Sequence, residues 1–217
     1  MAVQWLSFKG RVYQVIQDNS IRMKGHVYNN VEDLRILNYF KVQHRPCKIS
    51  TPIEVSWSPP NQYEIMICCD GTSLGNPGQA GAGVTFCDAN AAVLGVLCAG
   101  LGWKTNYYVE VCDVIYAVML AKRWNVRNIC VQSDSMSCIQ AFQKGELPWM
   151  LVQKWRLAKN FYNNIHYIHS YREANFSADA LAKQACLLVE DIFEFYEGRP
   201  CFILYVEWPG EVYYRFK

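Results

Sequence analysis

From Tyr63 onward, the sequence alternates between short apolar runs typical of strands and longer segments with helical periodicity. Three strand-like runs come first, EIMICC, AGVTFCD and AAVLGVLCAG, and the last two are joined at the turn-like DANA. Helical patterns follow in NYYVEVCDVIYAVMLAKRW, SMSCIQAFQKG, WMLVQKWRLAKNF and NFSADALAKQACLLVE, separated by the strand-like NICVQS and IHYIHSY. This order predicts an α/β domain with a mixed five-stranded sheet and helices on both faces.

The segment before this domain is less regular and ends in KISTPIEVSWSPPNQYE, whose prolines predict an extended linker. Upstream of it, NNVEDLRILNYF predicts one short helix, with Asn29 as a candidate N-cap and Glu32 three residues later. We therefore expect an N-terminal extension over 1–62, a folded domain over 63–190, and a C-terminal extension over 191–217 that packs on the domain.

Composition narrows the class of protein further. The chain has 217 residues, 52% of them hydrophobic, and a net charge of only +2, so any contact with a nucleic acid must come from local patches. Its ten cysteines are irregularly spaced without a C-x-x-C pair, which fits a reducing compartment and disfavours a zinc site or a disulfide framework. No apolar stretch is long enough to span a bilayer, so we expect an intracellular protein of the nucleus or cytoplasm, neither secreted nor membrane-bound.

Two aspartates follow predicted strands. Asp70 closes EIMICC and Asp134 closes NICVQS, each immediately before turn-like residues. In open α/β sheets, ligands bind outside the carboxyl ends of parallel strands, which gives both acids a functional interpretation. Alternatively, each aspartate is a turn former or an N-cap.

Glu110 lies on the packing face of the longest predicted helix, because Val114, Ala117 and Ala121 share its stripe. A carboxylate there requires a cation, a metal ion or a hydrogen-bond partner. Asp113 is the competing candidate, but it points about a third of a turn away and can be solvated instead.

Asp179 is the remaining acid of interest. It lies in the first turn of the last predicted helix, where the helix dipole favours negative charge, behind Asn175 and Ser177 as candidate caps. The alternative is that Asp179 only stabilises the helix terminus.

Taken together, the four acids predict a metal site, because carboxylates that converge repel one another without a counter-ion. Mg²⁺ prefers oxygen ligands and fits such a site better than zinc. Two ions about 4 Å apart would hold the attacking water and the leaving oxygen of a phosphodiester, which predicts phosphodiester hydrolysis.

The segments DGTSLGNPG, TNYYVE, SDSMS and HSYREANFSADALAK resemble, in the same order, the signature segments of the ribonuclease H fold. The chain is most similar to the ribonuclease H domain of plant non-LTR retrotransposons, including PIEVSWSPP and EWPGEVYYRF, over about residues 30–217. The resemblance implies an RNA/DNA hybrid ribonuclease that cuts the RNA strand with two Mg²⁺ ions, for which Mn²⁺ can substitute.

The resemblance also implies roles for individual residues. Asp70, Glu110, Asp134 and Asp179 would be the metal-binding catalytic acids, and His169 would match a mobile histidine that assists turnover, although it can equally be a histidine that ends a strand. The implied substrate-binding residues are Gly71, Ser73, Gly75, Asn76, Thr105, Asn106 and Asn175. Asn76 and the glycine loop around it would approach ribose 2′-hydroxyls, whereas Thr105 and Asn106 would contact the DNA strand or merely cap the helix.

The chain also departs from the family pattern. Tyr107 stands where the family usually has a second asparagine, which predicts weaker strand discrimination or affinity. A chain of this length without Y-x-D-D indicates a stand-alone gene or a fragment derived from such an element. The competing hypotheses are a catalytically weak or inactive, co-opted module that binds nucleic acid or protein, and a relative that acts on single-stranded RNA or DNA.

One predicted helix combines Trp149 and Trp155 with Lys154, Arg156 and Lys159, a mixture that can follow a phosphate backbone. We favour the alternative, in which Trp155 and Leu157 pack in the core while the basic residues form a solvated face.

Overall fold

The computed structural model describes residues 2–22, 31–42 and 51–216. The chain divides into two compact units, Met1–Thr51 with Phe216–Lys217 and Pro52–Arg215. In the first unit, α1 spans Ala2–Ser20 and α2 spans Val31–Tyr39. Tyr13 of α1 donates a hydrogen bond to the Tyr39 hydroxyl at 2.6 Å. Helix α2 confirms the predicted short helix, α1 was not predicted, and Asn29 lies outside the described residues.

The second unit contains the remaining elements. Its strands are β1 (Pro52–Ser56), β2 (Glu64–Gly75), β3 (Gly78–Cys87), β4 (Val93–Lys104), β5 (Asn128–Ser133), β6 (Asn164–His169) and β7 (Phe193–Glu197), with β8 (Val212–Phe216) at the unit boundary. Its α-helices are α3 (Asn106–Ala121), α4 (Met136–Lys144), α5 (Trp149–Lys159) and α6 (Phe176–Ala185), with short 3-10 turns at Lys122–Trp124 and Arg172–Ala174.

A mixed sheet with the order β6-β5-β2-β3-β4-β7 forms the centre of this unit. Strands β2, β5 and β6 are parallel, whereas β3, β4 and β7 continue the sheet in antiparallel pairs. The five predicted strands are all present, and β7 adds a sixth from the segment that we assigned to the C-terminal extension. Phe195 of β7 pairs with Leu97 of β4, so this part of the extension belongs to the sheet.

Helices cover both faces of the sheet, as predicted. Ile65, Ile67 and Cys69 of β2 share one apolar cluster with residues of α3, α4 and α5. The alternate residues Met66 and Cys68 belong to a second cluster that includes residues of α6. This alternation places the residues of β2 that precede Asp70 between α3 and α6.

Helix ends partly follow the sequence signals. Helix α4 stops before Gly145, which adopts the left-handed conformation at φ 76°, as expected for a C-terminal glycine. Helix α6 ends at Ala185, although the sequence pattern extended it to Glu190.

The predicted linker before the domain contributes to the core. Within it, β1 pairs with β8 in a two-stranded sheet. Val55 and Trp57 are buried in the cluster that also contains Met66 and Cys68. The domain boundaries predicted at residues 63 and 191 stay a prediction, because they concern which segment folds by itself.

The described residues also show the state of the cysteines and the character of the longer helices. The cysteines in the described ranges are free thiols, and all of them except Cys201 are buried. Among the described residues, no helix is both long enough and apolar enough to cross a bilayer.

Candidate active site

The candidate site begins where β2 and β5 separate. Their parallel pairing ends at Cys69 and Ser133, and the next residues along the chain are Asp70, within β2, and Asp134, just after β5. The prediction that Asp70 closes its strand is wrong, because β2 continues to Gly75 in its pairing with β3. The two carboxylates nevertheless leave adjacent strands at the same edge of the parallel pair, as the sequence predicted.

Glu110 reaches this edge because α3 packs unusually closely against β2. A Cβ atom on Gly71 would lie 2.6 Å from the Glu110 backbone nitrogen and 2.8 Å from the Val109 carbonyl carbon. Such distances are too short for any side chain, so glycine at position 71 permits the approach. As a result, carboxylate oxygens of Asp70, Glu110 and Asp134 lie within 4.8 Å of one another.

Asp179 is brought to the site by a similar approach of α6 to β3. A Cβ atom on Gly83 would collide with the Ala182 backbone nitrogen, and one on Gly81 with the Cys186 backbone nitrogen. Asp179 is not part of the three-carboxylate group, but the same basic side chain contacts Asp179, Asp70 and Asp134.

That basic side chain is Arg172, which the sequence analysis missed. Its Nε lies 3.3 Å from Asp134 Oδ2 and 3.5 Å from Asp179 Oδ1, and its Nη2 lies 4.0 Å from Asp70 Oδ1. The side chain remains 56% exposed. Its place in HSYREANFSAD, between the strand that ends at His169 and the helix that carries Asp179, was the available signal.

A second cation contacts Asp179 from within α6. Lys183 Nζ lies 2.5 Å from Asp179 Oδ2 in an i,i+4 pair. This spacing is the usual one for helical ion pairs, so the contact was predictable from the sequence.

Burial and mutual repulsion dominate the electrostatics of the three-carboxylate group. The Asp70 side chain is 1% exposed, and neither of its oxygens has a hydrogen-bond partner among the described residues. Burial, followed by the charges of Asp134 and Asp179, raises the pKa of Asp70 to about 7. Burial and the charges of Asp70 and Asp134 likewise raise the pKa of Glu110 well above its usual value. A bound cation would relieve this repulsion.

Asp113 is fully buried, so the alternative in which it is solvated is wrong. Both of its carboxylate oxygens lack hydrogen-bond partners among the described residues, and burial, followed by Asp70 and Glu110, raises its pKa. The physical reason is that α3 is buried around most of its circumference, with Cys112, Val114 and Ile115 also enclosed. A rotation of a third of a turn therefore does not reach solvent.

His169 is the last residue of β6 and lies next to the backbone of Asp134. Its Nε2 lies 3.1 Å from the backbone oxygen of Asp134, and because a carbonyl only accepts, Nε2 carries the proton in this contact. The ring also packs edge-on against Tyr171 with centroids 5.5 Å apart. This placement fits a histidine that ends a strand, and its catalytic role stays a prediction.

Two of the predicted substrate-binding residues are buried. Gly71 lies in the contact between β2 and α3, and Asn175 is 1% exposed at the start of α6. The Asn175 amide donates to the Cys69 carbonyl at 2.8 Å and so fastens α6 beside Asp70.

The other predicted substrate-binding residues lie toward solvent. Gly75, Asn76, Thr105 and Asn106 are exposed, and Asn76 Oδ1 accepts a hydrogen bond from the Asn106 backbone N–H at 3.1 Å. Thr105 occupies the N-cap position of α3 without a side-chain capping bond, so Asn76 satisfies this helix end instead. The Ser73 hydroxyl donates to the Lys104 carbonyl at 2.9 Å.

Helix α5 packs through one of its two tryptophans. Trp155 is buried in the main core, as predicted, and the basic residues of the helix are exposed. The expectation that Leu157 also packs in the core is wrong, because it is 69% exposed.

The donor set fits a hard divalent cation. The three-carboxylate group offers only oxygen ligands. Within the described part of the chain, the buried oxygens of Asp70 and Oδ1 of Asp179 have no hydrogen-bond donor. Carboxylate oxygens are the preferred protein ligands of Mg²⁺, whereas zinc favours nitrogen and sulfur.

This sheet, with helices on both faces, defines an α/β protein with a ribonuclease H-like fold. The N-terminal RNase H domain of rv2228c from Mycobacterium tuberculosis, solved as a fusion with maltose binding protein, aligns with a TM-score of 0.52 at 26% identity, covering 57% of this chain and 98% of that chain. LC11-RNase H1 in complex with an RNA/DNA hybrid aligns with a TM-score of 0.51 at 26% identity, covering 56% and 96%. RNase H1 from Halobacterium salinarum, at 23% identity and a TM-score of 0.51, covers 56% and 96% and supports the fold alone.

Residues 68–185 match the family model described as "Reverse transcriptase-like", and the chain belongs to this family. The chain is also 28% identical over 139 residues to the Arabidopsis thaliana protein named "Putative ribonuclease H protein At1g65750". That match covers 60% of this chain and only 22% of the length of the Arabidopsis protein.

Proposed function

We propose that this protein is a metal-dependent endonuclease that hydrolyses the RNA strand of RNA/DNA hybrids. The observation that carries the proposal is the convergence of Asp70, Glu110 and Asp134, whose carboxylate oxygens lie within 4.8 Å of one another at the end of the parallel strands. Membership of the Reverse transcriptase-like family and the likeness to LC11-RNase H1, crystallised with a hybrid, support this substrate class.

In this proposal, Asp70, Glu110, Asp134 and Asp179 hold two Mg²⁺ ions, for which Mn²⁺ can substitute. When bound, the metal supplies an activated water and neutralises the charge that develops on the phosphate. Asp70 and Glu110 must be deprotonated to act as ligands, and because the pKa of each is raised, metal binding should strengthen as the pH rises.

Other residues of the chain would orient the acids and the substrate. Lys183 pairs with one oxygen of Asp179 and restricts the rotation of that carboxylate. Arg172 offsets part of the negative charge of the site, and because its side chain is half exposed, it can turn toward a substrate phosphate. Asn76 and the exposed turn beside it would approach the 2′-hydroxyls of the RNA strand.

The test is cleavage of a labelled RNA/DNA hybrid in the presence of Mg²⁺. We expect the wild-type protein to release RNA fragments and Asp134→Asn to lower kcat by more than about 100-fold, because one metal-binding oxygen is lost without a change of shape. Asp191→Asn removes an exposed carboxylate from a turn and is the matched control. An inactive wild-type protein, or a rate that Asp134→Asn leaves unchanged, would reject the proposal.

Arg172 favours a second candidate, a co-opted module that binds nucleic acid or protein and is catalytically weak or inactive. Its guanidinium contacts three of the four acids and can neutralise them without a metal ion. Titration calorimetry distinguishes the two functions. Hybrid binding without any Mn²⁺ binding would favour the module, whereas Mn²⁺ binding that Asp134→Asn abolishes would favour the nuclease.

We further propose an origin in a plant retrotransposon and an intracellular location, in the nucleus or cytoplasm. Similarity to the Arabidopsis protein supports the origin, and the buried free thiols support a reducing compartment. Fluorescence imaging of the tagged protein in plant cells would test the location, and a secreted or vesicular signal would contradict it.

A further inference from the structure

A segment outside the family match packs on the helix that carries Asp179. We define the C-terminal strap as residues 199–208, which follow the matched region 68–185. Arg199 stabilises the strap internally, because its Nε donates to the Ile203 carbonyl at 2.8 Å and its Nη2 donates to the Leu204 carbonyl. Ile203 is buried in a cluster with Leu181 and Ala185 of α6.

Glu207 of the strap makes the most specific contact. Its side chain lies in the interior, with the residue 4% exposed. Oε1 accepts from the Ser177 backbone N–H at 2.8 Å, and Oε2 accepts from the Ser177 hydroxyl at 2.6 Å. Because the Ser177 proton is used in this way, the Thr85 hydroxyl donates to Ser177 Oγ at 3.1 Å. A buried hydrogen-bond chain therefore connects β3, α6 and the strap.

The contact supplies what the start of α6 otherwise lacks. Backbone N–H groups in the first turn of a helix have no partner within the helix, and a carboxylate is favoured there by the helix dipole. Asn175, at the N-cap position, makes no side-chain capping bond, since its Nδ2 donates to the Cys69 carbonyl and its Oδ1 accepts from Gln132 Nε2 at 3.5 Å. Glu207 thus performs the capping from a distant part of the chain.

We propose that Glu207 is a positioning residue for Asp179. Ser177 lies two residues before Asp179 in the same helical turn, so a carboxylate that fixes Ser177 also fixes the direction of the Asp179 side chain. The strap would therefore belong to the functional unit although it lies outside the family match. The consequence for metal binding rests on the proposed function, whereas the mechanical link between Glu207 and the first turn of α6 does not.

The mechanical link can be tested on the full-length protein without metal. Glu207→Gln keeps the size of the side chain but loses the charge and one of two acceptor oxygens. We expect amide hydrogen exchange at Ser177 and Asp179 to rise by about 10-fold or more, because a charge-assisted capping bond is lost. Glu211→Gln, which changes an exposed glutamate just beyond the strap, should leave this exchange unchanged.

The consequence for the site is tested by titration with Mn²⁺, well below the unfolding temperature of each variant. We expect Glu207→Gln to weaken Mn²⁺ binding by about 10-fold relative to Glu211→Gln, as is typical when a group that orients a metal ligand is removed. A general loss of stability would lower the unfolding temperature without this change in affinity. Ser177→Ala removes both hydrogen bonds of the hydroxyl, to Glu207 and to Thr85, but keeps the backbone contact with Glu207. It should shift both measurements in the same direction, even if Glu207→Gln does not fold.

The proposal would be overturned if amide exchange at Ser177 and Asp179 were unchanged in Glu207→Gln and in Ser177→Ala. Increased exchange with Mn²⁺ affinity equal to that of Glu211→Gln would also overturn it. A wild-type protein that binds no Mn²⁺ would instead overturn the proposed function, and the exchange measurements would still decide whether Glu207 holds α6.

Discussion

Asp70 is the residue at which burial and like charge act together most directly. Its pKa rises from 3.8 to about 7, chiefly through burial and then through Asp134 and Asp179. The folded protein therefore binds this proton more tightly than the unfolded chain does, and the metal-free protein should lose stability as the pH rises from about 4 to about 7. Glu110 contributes in the same direction.

Asp70→Asn tests this effect by removing the titrating group. Above pH 7 we expect the metal-free variant to be more stable than the wild type, by up to about 4 kcal/mol. Urea unfolding in a chelator between pH 4 and pH 8 measures the difference, with Asp191→Asn as control. Saturating Mg²⁺ should stabilise the wild type but not Asp70→Asn. Equal stability of the two proteins at pH 8 would contradict the prediction.

Replacing Arg172 should lower the stability of the metal-free protein, whereas Asp70→Asn should raise it. Arg172→Gln removes the cation that faces Asp70, Asp134 and Asp179, so the pKa of Asp70 should rise further. At pH 8 we expect the metal-free protein to lose about 1 kcal/mol, a modest amount because the guanidinium is half exposed.

Calorimetry should show that Arg172→Gln binds Mn²⁺ a few-fold more tightly at pH 8, because a competing positive charge has been removed. Arg156→Gln, on the exposed side of α5, is the matched control. Weaker Mn²⁺ binding by Arg172→Gln would mean that the arginine orients the acids rather than competing with the metal.

Residues at the site differ in how far the sequence could reveal them. Asp70 and Asp134 come directly after apolar strand patterns, and Glu110 interrupts an apolar helix face. Each of these acids is therefore visible in the local sequence pattern. Glu207 satisfies no local pattern, because its partner Ser177 is 30 positions away. Such a contact depends on tertiary packing, which periodicity does not encode.

The contact between β2 and α3 leads to a prediction for whole elements. Gly71→Ala would place a Cβ atom 2.6 Å from the Glu110 backbone nitrogen, so the strand and the helix must separate. We expect a loss of about 1–3 kcal/mol in stability, as for other overpacked cores, and at least about 10-fold weaker Mn²⁺ binding as Glu110 moves from Asp70.

Gly10→Ala is the control for this substitution. Gly10 lies in α1, and no described residue lies within 4 Å of the added methyl group, so alanine should leave Mn²⁺ binding unchanged and stabilise the helix by up to about 1 kcal/mol. Unfolding curves and calorimetry on both variants decide the outcome. If Gly71→Ala binds Mn²⁺ as Gly10→Ala does, close packing at position 71 is not what positions Glu110.

Elements with strong periodicity were predictable, and those stabilised by distant partners were not. Strand β5 is a short continuous apolar run, as expected of a strand covered on both faces, and helix α3 has an apolar helical pattern. Both lie where the sequence placed them. Helix α1 was missed because it includes Gly10 and has neither an acid in its first turn nor a base in its last. Strand β7 is short and depends on its pairing with β4, which lies far earlier in the chain.

At the scale of the molecule, the candidate site and its supports all lie within the compact unit Pro52–Arg215. The fold class followed from the order of the predicted elements, but the segments that complete the core did not. Trp57 precedes the predicted domain 63–190 and is buried in the same cluster as Met66, whereas Ile203 follows it and packs against α6. The predicted domain therefore lacks side chains that fill its own core.

Two fragments make this difference measurable. We expect residues 52–217 to unfold cooperatively and to bind Mn²⁺ as the full chain does, because every candidate ligand and the strap are retained. Residues 63–190 should be less stable by at least about 3 kcal/mol, since the loss of Trp57 alone leaves a cavity of aromatic size. They should also bind Mn²⁺ more weakly, because Glu207 is absent. If urea unfolding gave both fragments the same stability and calorimetry the same affinity, the flanking segments would be dispensable and the shorter boundaries would be correct.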